Sequence, residues 1–183
     1  MRVFVAIDLD EGTKDKLWGL VQELGSYGAD VRWVRRESLH LTLKFLGEVP
    51  EKRIPEIEKV LSEAGSITGP FEIGLRGTGV FPSYSRPRVL WVGIKENGHL
   101  SELQRAVEDK LSGEGFPKED RPFHPHITIG RVKSQRGIKK VLEEIRRYKE
   151  LDFGKIYVNE FVLMESLLLP DGARYRKVFA IKL

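Results

Sequence analysis

Two of the chain's four histidines open the same four-residue phrase, His40-Leu41-Thr42-Leu43 and His126-Ile127-Thr128-Ile129. Each phrase alternates polar and apolar residues, the period of a half-buried strand, in which residues i and i+2 share a face. His40 and Thr42 then project together while Leu41 and Leu43 point to a core; His126 and Thr128 do the same, backed by Ile127 and Ile129. Side by side, two imidazoles and two hydroxyls can move protons on and off a phosphate ester without a metal. An imidazole titrates at about 6.5, so one ring can serve as general base and the other as general acid. The hydroxyls can hold the phosphate oxygens, since phosphoryl transfer needs positioning and charge stabilisation above all. A cyclic phosphodiester suits such a pair, because its ring already places the leaving oxygen. With five Thr in 183 residues, any His has Thr at i+2 with a probability of about 0.03. Two such hits among four His arise in roughly one chain in two hundred, so chance is a weak rival.

The elements that must position these residues can be read from the same patterning. The spacing predicts strands at 1–9, 31–34 and 39–46, at 71–81 and 89–94 around a Pro-rich loop, and at 126–132. It predicts further strands at 156–169 and 175–181 around the turn Pro170-Asp171-Gly172. Helices are predicted over 12–24, 50–64, 99–112 and 138–148. There are no long βαβ runs, so antiparallel sheets with helices on their outer faces are favoured. The motifs lie about half the chain apart, which points to an α+β, bilobal, pseudo-symmetric fold facing a central cleft. Residues 1–183 read as a single two-lobed domain.

Composition narrows the chemistry. There is no cysteine, which removes disulfides, a thiolate nucleophile and a cysteine zinc site. His124-Pro125-His126 could suggest a metal pair, but only Asp120 is near as a third ligand, so no metal and no cofactor are expected. No apolar run approaches the ~18 residues of a membrane span, and the opening Met1–Ile7 turns acidic at Asp8 and reads as a strand rather than a leader. A cytoplasmic protein, without membrane partners and acting as a monomer, is the expectation. Two Asn and three Gln among many Lys, Arg and Glu lean towards a thermophilic composition. The net charge of +4 is mild, but its placement matters. Arg32, Arg35 and Arg36 precede the first motif, and Arg131, Lys133 and Arg136 follow the second. Basic flanks on both motifs fit an anionic substrate.

Other motifs are weaker. Lys95-Glu96-Asn97-Gly98 imitates a nucleotidyl-ligase lysine motif but reads as a turn, and Arg76-Gly77-Thr78-Gly79 lacks a following Walker lysine. His99 reads as a cap or surface residue. Trp33, Phe81, Tyr84, Trp91 and Phe123 are the aromatics that could stack a terminal base; of these Trp33 and Trp91 read as core, and Tyr84 and Phe123 are the better candidates.

The phrases Trp33-Val34, His40-Leu41-Thr42-Leu43-Lys44-Phe45-Leu46-Gly47 and His124-Pro125-His126-Ile127-Thr128-Ile129-Gly130-Arg131 resemble the paired motifs of the two-histidine phosphoesterases. The resemblance is nearest to the RNA 2′,3′-cyclic phosphodiesterase group, also called 2′-5′ RNA ligases, and Pro87–Gly93 is similar to an intervening segment there. It implies hydrolysis of RNA 2′,3′-cyclic phosphate ends, with tRNA as one source of them, to 2′-phosphates. It also implies that ATP-independent joining to a 5′-hydroxyl is possible. Carried over by position, His126 would activate water, His40 would protonate the 3′ oxygen, Thr42 and Thr128 would hold the non-bridging oxygens, and Arg131 would add charge. Two alternatives stay open: a phosphoesterase for small cyclic nucleotides or ADP-ribose 1″,2″-cyclic phosphate, and a non-catalytic RNA-binding module.

Overall fold

Both faces of the first alternating strand, β1 (Arg2–Asp8), are buried. Val3, Val5 and Ile7 join the main core, while Phe4 and Ala6 turn the other way into a small cluster with Val162 and Met164. A strand covered on both sides belongs inside a sheet. In the computed structural model, which describes residues 1–183, β1 runs between two antiparallel partners. The four-stranded sheet has the order β3 (His40–Glu48), β1, β8 (Glu160–Leu169), β9 (Gly172–Lys182). The five-stranded sheet has the order β2 (Val31–Trp33), β6 (His126–Val132), β5 (Pro87–Lys95), β4 (Phe71–Pro82), β7 (Asp152–Val158).

Four helices cover one face of each sheet. α2 (Ile54–Gly65) and α3 (His99–Ser112) pack together behind the four-stranded sheet, and α1 (Glu11–Gly25) and α4 (Ile138–Arg147) behind the five-stranded one. Asp10 caps α1 by accepting the Thr13 N–H at 2.7 Å, a contact worth about 1 kcal/mol. The opposite faces of the sheets stay free of helices, and β3 approaches β6 where they meet. This is the α+β, two-sheet architecture that the hydrophobic pattern predicts. No helix is long and apolar enough to cross a membrane.

Three expectations change. The single strand at 156–169 is two, β7 and β8, broken at Asn159 and belonging to different sheets. Only Asn159 and Glu160, two polar residues in a row, mark the break, and no turn residue such as Gly or Pro shows the chain changing sheets. The helix expected from Pro50 begins at Ile54 after a 3-10 turn, because Pro55 fits the first helical turn, where its missing N–H is not needed. The lobes are also not consecutive halves. The chain crosses between the sheets four times, so each sheet draws on both ends of the sequence.

Candidate active site

His40 and His126 are each the first residue of their strand. Each ring folds back onto the carbonyl two residues earlier: His40 Nδ1 meets the Ser38 oxygen at 2.7 Å, and His126 Nδ1 meets the His124 oxygen at 2.7 Å. A carbonyl can only accept, so the neutral rings carry their proton on Nδ1 and keep a basic lone pair on Nε2. His40 Nε2 accepts from the Thr42 hydroxyl at 2.9 Å, the i, i+2 relation expected from the motif. His126 Nε2 and the Thr128 hydroxyl have no partner within the chain, and Thr128 lies opposite Trp91 in the β5–β6 pair.

A second likeness lies beyond a period of two. In β3, Val5 faces Lys44 but Ala6 faces Thr42, so Leu43 is an extra, bulged residue. In β6, Leu90 faces Gly130 but Trp91 faces Thr128, so Ile129 is bulged at the same place in the motif. A bulge reverses the facing of the residues beyond it. Positions 45 and 131, rather than 44 and 130, therefore return to the histidine faces. Position 131 is Arg131, whose charge is felt at both His40 and His126. Position 45 is Phe45, whose ring lies 5.7 Å from that of Phe4.

Lys44 is turned inward by its bulge. Its Nζ donates to Glu108 Oε1 at 2.7 Å and to the Pro117 carbonyl at 2.8 Å. The other Glu108 oxygen accepts the Glu119 N–H at 2.8 Å. This buried pair ties the first motif strand to α3 and to the segment that leads into His124.

Aromatic rings surround both imidazoles. His40 lies 5.0 Å from Phe4 and edge-on to Tyr175 at 5.1 Å. His126 lies edge-on to Phe81 at 5.0 Å, with Trp91 at 6.5 Å and His124 at 6.2 Å. Burial lowers the His40 pKa; the Ser38 carbonyl and the Asp8 carboxylate oppose this, and Arg131 and Lys14 add to it. Burial also lowers the His126 pKa, opposed by the His124 carbonyl and reinforced by the charges of His124 and Arg131. Asp8 stands opposite His40 across the β1–β3 pair and binds Lys14 at 3.0 Å.

Trp91, expected in the core, lies on the histidine face. Its indole covers Gly79, where a Cβ would come within 2.3 Å of the ring. Trp33 packs on the core as expected, over Gly130. Tyr84, expected near the substrate, is half-buried under Arg146 of α4 at 4.1 Å, on the helix-covered side. Phe123 packs against the main core. Phe81, one of the aromatics the sequence offered for stacking, stands against His126; sequence reasoning missed Phe4 and Tyr175, which carry no motif, and Phe45, which needs the bulge to reach the face. His124 and His126 gather no third His, Asp or Glu that would complete a metal-binding trio.

The chain is similar to the RNA 2′,3′-cyclic phosphodiesterase of Archaeoglobus fulgidus, with 40% identity over 176 residues, covering 96% of this chain and 97% of the relative. It is 39% identical over 178 residues to that of Methanocaldococcus jannaschii, covering 97% and 98%. Its fold is similar to the crystal structure of TT0787 of Thermus thermophilus, with a TM-score of 0.80 and 32% identity, covering 100% of this chain and 98% of that one. Against E. coli LigT complexed with 3′-AMP, the TM-score is 0.77 at 30% identity, covering 100% and 97%. A model of the 2′-5′ RNA ligase superfamily matches residues 13–167. Sequence likeness, shared fold and paired histidine motifs agree, and the chain belongs to the 2′-5′ RNA ligase superfamily.

Proposed function

We propose that this protein hydrolyses 2′,3′-cyclic phosphate ends of RNA to 2′-phosphates by two-histidine general acid and base catalysis. The observation that carries this reading is the matched pair of imidazoles, each with Nδ1 pinned to a carbonyl and Nε2 left for chemistry. His126, whose Nε2 is unengaged, takes a proton from water as the oxygen attacks phosphorus. The bond from phosphorus to the 3′ oxygen breaks in line, and protonated His40 gives its Nε2 proton to that oxygen. The phosphate stays on the 2′ oxygen. Thr42, Thr128 and Arg131 take the non-bridging oxygens as charge builds on them. When His40 is protonated, its Nε2–H no longer needs the Thr42 hydroxyl proton, which is then free for the phosphate. With a 5′-hydroxyl in place of water, the same displacement gives a 2′-5′ linkage without ATP. Every residue in this scheme comes from one chain, so a monomer suffices, and tRNA-derived ends are one source of substrate.

The test is incubation with RNA ending in a 2′,3′-cyclic phosphate, in EDTA and without ATP, with product ends resolved by mass and phosphatase sensitivity. A 2′-phosphate that disappears in His40→Ala and His126→Ala is the expected result. Strict dependence on an added metal ion would overturn the mechanism. RNA binding without turnover would replace it with the binding-module reading.

A further inference from the structure

The two motif strands match residue for residue through the bulge, so position 45 in one corresponds to position 131 in the other. Arg131 at that position carries a charge felt at both histidines. Phe45 is an apolar side chain on the same kind of face, yet it is 65% exposed, while Phe4 behind it is 2% exposed. A phenyl ring left in water at a site-facing position is not needed by the core. It suits a flat apolar group arriving from outside, and every nucleobase offers one.

The surface beside Phe45 has the matching polarity. Arg2 lies two residues before Phe4 on β1, and so on the same face, where its charge reaches Tyr175. Glu48, opposite Arg2 across the strand pair, turns its carboxylate to the N-terminal amine at 3.5 Å instead, which leaves Arg2 without an acidic partner. In the β8–β9 hairpin, Ser166 pairs with Tyr175 and Leu168 with Ala173. Leu168, 73% exposed, thus extends the same face outwards from Tyr175.

We propose that this open face of the four-stranded sheet carries the RNA strand leading into the cyclic phosphate. Phe45 stacks the base one nucleotide upstream of the terminal ribose, and Arg2 takes an upstream phosphodiester. The proposal rests on the hydrolase reading above, in which His40 protonates the 3′ oxygen. That assignment places the ribose on the His40 side and water on the His126 side, so the chain must leave over β1, β3 and the β8–β9 hairpin. Phe4 and Tyr175 flank His40 directly, and Phe45 is one ring further out, which fits the second base rather than the first.

The experiment measures steady-state kinetics of the wild type, Phe45→Ala, Phe45→Trp and Arg2→Gln. The substrates are a short RNA ending in a 2′,3′-cyclic phosphate and a mononucleoside 2′,3′-cyclic phosphate, each at several salt concentrations. Loss of a stacked base corresponds to about fivefold to a hundredfold in affinity. Phe45→Ala is therefore expected to lower the oligomer-to-mononucleoside ratio of kcat/KM by at least about fivefold through KM, and Phe45→Trp to restore it. Arg2→Gln is expected to flatten the salt dependence of the oligomer KM by a slope of about 0.7, one single-strand phosphate contact. Melting curves of the Phe45 variants, expected to match the wild type, serve as the folding control. An unchanged ratio in Phe45→Ala overturns the proposal, as does a loss shared equally by both substrates or a wild type that does not favour the oligomer. A wild type that turns over neither substrate overturns the hydrolase reading itself.

Discussion

The His40 and His126 halves share a strand start, a carbonyl-pinned Nδ1, a threonine two residues on and a bulge, yet their surroundings diverge. His40 has its Nε2 engaged by Thr42, with Asp8 near enough to favour its charged form. His126 has Nε2 unengaged, with His124 and Arg131 both disfavouring its charged form. Burial lowers both pKa values; at His40 the Asp8 carboxylate opposes this against Arg131 and Lys14, whereas no carboxylate opposes it at His126. Identical motifs acquire different roles when nearby charge separates them, and the one carboxylate beside His40 fits the acid role proposed for it. The position after the bulge diverges as well, Phe45 in one half and Arg131 in the other. The first half thereby offers a ring to a base and the second a charge to a phosphate.

Removing either imidazole tests the pair most severely. His40→Ala and His126→Ala should each lower kcat/KM on the order of 10³-fold or more. The double variant should fall little further, because the two act as a unit; additive losses in the cycle would break the paired mechanism. The halves differ next in the residue before position 45 or 131. Lys44→Ala leaves Glu108 buried without its partner and should cost about 3–5 kcal/mol in chemical denaturation. Gly130→Ala must move Trp33, whose ring a Cβ would approach to 2.8 Å, and should cost about 1–3 kcal/mol. Arg131→Ala should lower kcat on the order of 10²-fold, with Arg131→Lys recovering part of it.

The pH profile sharpens the comparison more gently. The base must be neutral and the acid protonated, so kcat/KM should be bell-shaped. Lowering of the His126 pKa moves the acid limb to lower pH, and lowering of the His40 pKa pulls the alkaline limb down as well. The maximum should therefore lie below the ordinary imidazole value of about 6.5. Binding of the anionic substrate favours the imidazolium, so the kcat profile should lie at higher pH than the kcat/KM profile. Asp8→Asn removes a charge that supports protonated His40 and should move only the alkaline limb further down. Movement of the acid limb instead would reverse the assignment of acid and base.

Much of the site is legible in the sequence because its chemistry is local. His40 with Thr42 and His126 with Thr128 share a face through strand geometry alone, and a period of two is enough to pair them. The same period fails one step later, since a bulge depends on the pairing strand and is written in neither motif. Resemblance, not facing, points to Arg131, and nothing in the sequence points to Phe45. Tyr84 and Phe123 stand near basic or motif residues in sequence, but nearness along the chain does not set facing. Tyr84 instead lies under Arg146, where its loop meets α4. Trp91 goes the other way, because Gly79 on the neighbouring β4 and Gly93 two residues further along β5 leave room for an indole on the cleft face.

The sequence by itself determined the two His–Thr pairs, the strand-and-helix alternation and the lack of cysteine, all set by residue type and short spacing. The tertiary structure decided which sheet each strand joins, where the ladders slip and which rings stand over which imidazole. Those outcomes depend on contacts between residues far apart in the chain. β8 and β9, from the end of the chain, bring Tyr175 against His40 beside β1 from its beginning. No local period can express a contact across that separation.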